Sequence, residues 1–307
     1  MDPIAFIGLG QMGSRMAPHL VRAGRQVVAF DLASTAMDQA RQLGCRPAAS
    51  VAEAVRGAGA VISMLPSGAD VRRLYGDDVF AHVPKDALLI DCSTIDVDSA
   101  RAVAAEAEAK GLRFADAPVS GGAHGAADGT LTFMVGCRET DFPDIEAVLK
   151  PMGRRVVRAG DAGAGQAAKI CNNMILGISM IGVCEAFALA ERLGLDPQRF
   201  HDIASTSSGQ CWSVTTNSPW PGTLPNAPSN RGYQGGFITS LMLKDLKLAQ
   251  DAAARNGAST PLGGHAEAMF ALFDRLGYGG RDFSAILQLL RGRLDELDDP
   301  GPTPVGA

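Results

Sequence analysis

The strongest constraint on the fold lies in the first thirteen residues, where the apolar run Ile4 to Ile7 leads directly into Gly8-Leu9-Gly10-Gln11-Met12-Gly13. Met12, Met16 and Leu20 then recur on one helical face, and Gly24 offers a stop. A G-x-G-x-x-G between a strand and a helix has a meaning that a glycine triplet elsewhere lacks. The first glycine allows a tight turn, the second lets the backbone approach a pyrophosphate, and the third lets the helix pack closely. The helix N-terminus adds N–H donors and a positive dipole end. The next expected strand ends at Asp31, eighteen residues past Gly13, near the spacing of a carboxylate that binds an adenosine ribose. Such a carboxylate repels a 2′-phosphate, and no arginine follows in Leu32-Ala33-Ser34, so NAD is expected rather than NADP.

The rest of the first half continues the alternation of short apolar runs and helical stretches that defines βαβ units and a mainly parallel sheet. Strands are expected at residues 4–7, 26–30, 60–65, 88–91, 114–116, 131–135 and 155–157, with a helix from Val97 to Lys110 stopped by Gly111. After Gly165 the pattern reads as helix almost without interruption to Leu193. That is about 28 residues, or roughly 42 Å at 1.5 Å each, enough to run from one domain into another. Beyond Asp196 the reading is helical, broken by residues 215–236, a stretch rich in Pro, Gly, Ser and Asn that has the character of a long ordered functional loop. The expected fold is therefore α/β: a Rossmann-type, doubly wound domain over residues 1–162, an all-α domain over 163–297 beginning with the long helix, and a flexible tail over 298–307.

Composition narrows the function classes. The chain has 307 residues, 46% of them apolar, enough for two cores, and its 28 Lys+Arg against 33 Asp+Glu leave a net charge of -5. Neither nucleic acid nor an anionic membrane is an expected partner. Residues 170–190 are apolar enough to resemble a membrane span, but Asn172, Asn173 and Glu185 interrupt them, and a buried helix is expected. Six scattered cysteines without a C-x-x-C pair fit reduced thiols, and with no basic or Arg-rich presequence ahead of Ile4 a cytoplasmic protein is expected, although a processed organellar enzyme would look the same. The five histidines form no metal-ligand spacing, so no metal is expected.

Several residues could carry chemistry. Lys169 and Asn173 lie at i and i+4 on the long helix, hence on one face. Oxidising an alcohol requires a base for the hydroxyl proton, and a lysine shielded from water beside a cationic ring is disposed to accept one. A lysine on a helix is more often a solvated charge, but Lys169 sits among Ala167, Ala168, Ile170 and Cys171. Leu65-Pro66 and Ser93-Thr94 end the third and fourth expected strands, where open α/β sheets bind ligands; a turn or a helix cap is the alternative. Asp116 to Gly122 ends another strand and could hold a carboxylate or be a plain turn. Lys244-Asp245 could equally be an exposed charged helix face. Cys211 lacks a histidine base and reads as structural.

These stations, in this order, resemble the β-hydroxyacid dehydrogenases. The similarity runs from about Ile4 to Leu290 through Phe6 to Gly13, Met64-Leu65-Pro66, Asp91 to Asp96, Asp116 to Gly122, Leu131 to Gly136, Gly163 to Asn173 and Lys244-Asp245-Leu246. Ser207 to Ser213, Pro219 to Gly222 and Tyr233 to Phe237 are similar to the branch that oxidises 3-hydroxyisobutyrate. The resemblance implies NAD-dependent oxidation of 3-hydroxyisobutyrate to methylmalonate semialdehyde in valine breakdown, by a homodimer or homotetramer. It implies proton transfer by Lys169 and substrate binding by Ser120, Gly121, Gly122 and Asn173. Cofactor contacts fall to Gly8, Leu9, Gly10, Gln11, Met12, Gly13, Asp31, Leu65, Pro66, Thr94 and Lys244, with Phe237 bordering the nicotinamide and Asp245 holding Lys244. The rivals are a tartronate semialdehyde reductase or another short β-hydroxyacid dehydrogenase and, from a different class, a non-catalytic nucleotide-binding module. The chain departs from the usual pattern at His19, Lys247 and Asn230-Arg231-Gly232; the last touches the expected specificity loop.

Overall fold

The computed structural model of the chain describes residues 2–298, in two compact units, Met1–Lys169 and Ile170–Ala307. The expected tail lies, past Asp298, outside the described residues.

The first unit is a doubly wound sheet. Its strands are β1 (Ile4–Ile7), β2 (Val27–Phe30), β3 (Arg46–Pro47), β4 (Ala60–Ser63), β5 (Leu88–Asp91), β6 (Arg113–Asp116), β7 (Val119–Ser120), β8 (Leu131–Gly136) and β9 (Gly153–Gly160). They lie in the order β3-β2-β1-β4-β5-β6-β8-β7, with β9 beside β8. From β3 to β6 all neighbours are parallel, whereas β8 runs antiparallel to β6 and β7 and parallel to β9. Residues alternate between two cores because successive side chains of a strand point to opposite faces. Ile4, Phe6, Val27, Ala29, Ile62 and Ile90 enter one core; Ala5, Ile7, Val28, Val61 and Leu89 enter the other. Both faces are therefore apolar and covered, which is why these strands read as continuous hydrophobic runs.

Two strands escape the sequence reading, and one is longer than expected. β3 and β7 have two residues each, too few to show a period, and β3 is an edge strand that tolerates Pro47. β9 extends to both sides of residues 155–157 because its alternation is masked by exposed arginines at 154 and 155.

The long helix spans Ala164–Arg192, 29 residues, and Gly194 follows it with φ +72°. It is long and apolar enough to cross a membrane, a property it shares with core helices of globular proteins. Burial holds for one side of it only: Met180, Ile181, Val183, Cys184 and Phe187 enter the core of the second unit, while Ile175 and Leu189 are exposed. The other principal helices of this unit are Pro197–Ala204, Thr239–Arg255, Pro261–Phe273 and Ile286–Arg291. No strand occurs among its described residues, only a single bridge between Ile238 and Asp282.

Candidate active site

The glycine turn is shaped by crowding at its ends and openness at its centre. Gly8 has φ +93°, and a Cβ there would lie 2.3 Å from the carbonyl oxygen of Met64. A Cβ on Gly13 would lie 1.9 Å from the carbonyl oxygen of Gly8. Gly10 is exposed, has no left-handed φ, and would place its Cβ within 4 Å of nothing. The backbone at Gly10 is therefore open to a ligand that approaches it closely, as a dinucleotide pyrophosphate does. Asp31 adjoins this turn: its Oδ2 accepts from the Leu9 N–H at 2.6 Å and its Oδ1 from the Ala33 N–H at 2.8 Å. The carboxylate lines a concavity with Phe30, Ser34, Met37 and Pro47 at the end of β2. The donor set fits NAD: an open pyrophosphate cradle and a fixed acceptor for ribose hydroxyls.

With Asp31 at β2, the strand order puts the other half of a dinucleotide over the ends of β4 and β5. Those ends are tied together. The Ser93 Oγ donates to Asp91 Oδ1 at 2.6 Å and accepts from the Leu65 N–H at 2.8 Å. Ser63 Oγ also donates to Asp91 Oδ1, at 2.7 Å, so the Tyr75 hydroxyl, 3.0 Å away, is the donor to Ser63. Burial pushes the Tyr75 phenol well above its ordinary range, with the Asp91 charge adding to it, and the phenol stays a donor. Leu65 and Thr94 are half-buried and Pro66 is exposed at this rim.

At the end of β6, Asp116 has a role that the sequence does not disclose. Its Oδ1 accepts from the Gly163 N–H at 2.7 Å and its Oδ2 from the Gln166 N–H at 2.8 Å, so it caps the long helix from 47 and 50 residues away. Burial raises its pKa to about 6, against the lowering by the two amides, and Asp91 adds to the rise. The sign follows: the folded state binds this proton more tightly than a free carboxyl of 3.8 does. The contribution to stability is full below pH 3.8 and is lost as pH rises through about 6, on the order of 3 kcal/mol in all. Carbon-13 titration of the Asp116 carboxyl is expected to give a midpoint near 6, and a midpoint of 4 or less would contradict the burial argument. Ser120 pairs with Thr132 in the short β7–β8 ladder, and Gly121 and Gly122 follow with φ +127° and +60°. This turn needs glycines for backbone reasons as well as any ligand.

Lys169 stands in the second turn of the long helix with only 7% of its surface exposed, and Gln166, three residues earlier, is fully buried. Four residues after Lys169, Asn173 is 2% exposed, and its Nδ2 donates to Asp245 Oδ2. Asp245 is buried at 3%, not part of a solvated charged face, and Lys244 beside it is half-buried. The loop at 215–236 is held by Asp282, which accepts from Asn217 Nδ2 at 3.1 Å and from the Phe237 N–H at 2.8 Å. Trp220 carries the Arg291 guanidinium 4.4 Å above its ring, and Arg291 pairs with Glu191 at 2.8 Å. The sequence assigns no individual role to Gln166, Asp91 or Asp282. Gln166 was detectable as a lone amide in the Gly- and Ala-rich first turn; the others acquire partners only through folding.

A mainly parallel sheet of this order, with an open glycine turn after β1 and a carboxylate at the end of β2, defines a dinucleotide-binding protein of Rossmann type. The model for the NAD-binding domain of 6-phosphogluconate dehydrogenase matches residues 3–160, and that for the NAD-binding region of NADP-dependent 3-hydroxyisobutyrate dehydrogenase matches residues 163–290. The chain is 49% identical over 297 residues to 3-hydroxyisobutyrate dehydrogenase of Pseudomonas aeruginosa, covering 95% of this chain and all of that one. It is 46% identical over 291 residues to an NAD-dependent L-serine dehydrogenase of the same organism, covering 94% and 98% of the two chains. The structure of Mycobacterium tuberculosis 3-hydroxyisobutyrate dehydrogenase with L-serine superposes with a TM-score of 0.91 at 48% identity, covering 95% of this chain and 99% of that one. The chain belongs to the 3-hydroxyisobutyrate dehydrogenase family of oxidoreductases.

Proposed function

We propose that the protein oxidises 3-hydroxyisobutyrate to methylmalonate semialdehyde with NAD⁺, as a step of valine breakdown, and that Lys169 is the proton acceptor. The observation that carries this reading is a lysine 7% exposed on the helix that begins at the end of the sheet's ligand-binding edge. An amine kept from bulk water at this edge is suited to take the proton that an alcohol must lose. NAD⁺, when bound, supplies the acceptor for the hydride that leaves the carbinol carbon. Lys169 Nζ takes the hydroxyl proton as the C=O forms. Asn173, on the same helix face as Lys169 and anchored by Asp245 of the helix Thr239–Arg255, orients the hydroxyl, and the Ser120 to Gly122 turn holds the substrate carboxylate. Leu65, Pro66, Thr94, Phe237 and Lys244 border the cofactor. Asp31 favours NAD over NADP because its charge opposes a 2′-phosphate.

The proposed assembly, from the resemblance, is a homodimer or homotetramer. Six free cysteines support a reducing compartment, the cytoplasm.

L-serine is the second substrate to consider, since one relative is named for its oxidation and a solved relative is described with it. NADH release across 3-hydroxyisobutyrate, 3-hydroxypropionate, glycerate and L-serine, with NAD⁺ and NADP⁺, tests the proposal. The expected result is the highest kcat/KM for 3-hydroxyisobutyrate with NAD⁺. Highest kcat/KM on serine or glycerate would replace the substrate, and preference for NADP⁺ would overturn the role of Asp31.

A further inference from the structure

The side-chain amide of Gln166 is engaged at both ends by the backbone of one turn. Its Oε1 accepts from the Ile95 N–H at 3.1 Å, and its Nε2 donates to the Ser93 carbonyl oxygen at 2.8 Å. These two backbone groups flank Thr94, at the rim where the strand order places the nicotinamide half of the cofactor. The same residue's own N–H is held by Asp116, so the first turn of the long helix is tied to the ends of both β5 and β6. Lys169 follows one turn later.

We propose that Gln166 is a positioning residue that locks the Thr94 turn to the helix bearing Lys169, fixing the distance between the nicotinamide end and the proton acceptor; this rests on the role of Lys169 proposed above. An amide suits the task because it offers one donor and one acceptor in a plane, matching one carbonyl and one N–H two residues apart. It is fully buried, so water cannot replace either bond if the side chain is lost. Adenosine-side contacts, at Asp31 and the glycine turn, involve neither Gln166 nor its partners, which makes the two ends of the cofactor separable by experiment.

The test compares NADH with ADP-ribose, which lacks the nicotinamide, on the full-length protein and on Gln166→Met and Gln166→Glu. Methionine keeps the length without the hydrogen bonds; glutamate keeps the acceptor for Ile95 and faces the Ser93 carbonyl without a donor. By calorimetry, Gln166→Met is expected to bind ADP-ribose within about twofold of the parent and NADH about tenfold more weakly. Its kcat is expected to fall about 100-fold, the scale of a displacement near 1 Å at a reacting centre. Gln166→Glu should lie between the parent and Gln166→Met. Equal weakening of both ligands would show a merely structural residue and overturn the proposal, as would unchanged NADH affinity and kcat. If Gln166→Met does not fold, the ratio of the two affinities in Gln166→Glu decides by the same criterion. A parent protein that oxidises no hydroxyacid would sink the functional reading, whereas the affinity ratio would still judge the lock.

Discussion

Replacing Lys169 by Ala is expected to lower kcat by about two orders of magnitude or more, the scale of losing a general base, while NADH still binds. The residues proposed to hold the dinucleotide do not include Lys169, and binding therefore survives. The effect should fall on kcat, because the proton must leave the hydroxyl in the same step in which the hydride leaves carbon. A small primary amine added to the variant should restore part of the rate, since the truncation leaves room for one. Near-parental kcat in Lys169→Ala would remove the residue from the reaction and require another base.

The second large effect is expected at Gly13. A methyl group there meets the Gly8 carbonyl oxygen at 1.9 Å and the Phe6 ring at 3.0 Å, and neither partner is a flexible chain end. The turn must open or the helix must back away, at a cost of about 1–3 kcal/mol for overpacking. If this same backbone cradles the pyrophosphate as proposed, Gly13→Ala should weaken NADH binding by about two orders of magnitude, roughly 2.7 kcal/mol. Gly10→Ala provides the contrast: its methyl group meets no protein atom, so urea unfolding should be unchanged while NADH binding is lost. Parental NADH affinity in Gly13→Ala would show that the turn does not hold the cofactor.

The fold was largely readable in advance because its signals are local. The β1 run, the glycine turn and the long helix announce themselves by apolar period and by stop residues, and the structure places β1 at residues 4–7 and the helix at 164–192. β3 and β7 were not readable because two residues show no period. The site divides in the same way. Gly8 to Gly13 and Asp31 could be singled out from spacing, since strand, turn and helix impose it. Asp116 stood in a stretch noted for substrate binding, yet its carboxylate goes to the amides of Gly163 and Gln166, a pairing no local pattern encodes. Lys169 could be suspected from its apolar neighbours in sequence. The turn that Gln166 grips lies more than seventy residues earlier, and only the crossing of the chain brings the two together.

The proposed role of Asp31 in cofactor choice is coupled to a contact that the structure shows. The carboxylate proposed above to oppose a 2′-phosphate also accepts from the Leu9 N–H in the glycine turn. On that proposal, exchanging Asp31 alone to admit a phosphorylated cofactor would also release the Leu9 N–H and slacken the glycine turn. A workable redesign needs a compensating acceptor for the Leu9 amide, and natural drift between the two cofactors faces the same coupled step.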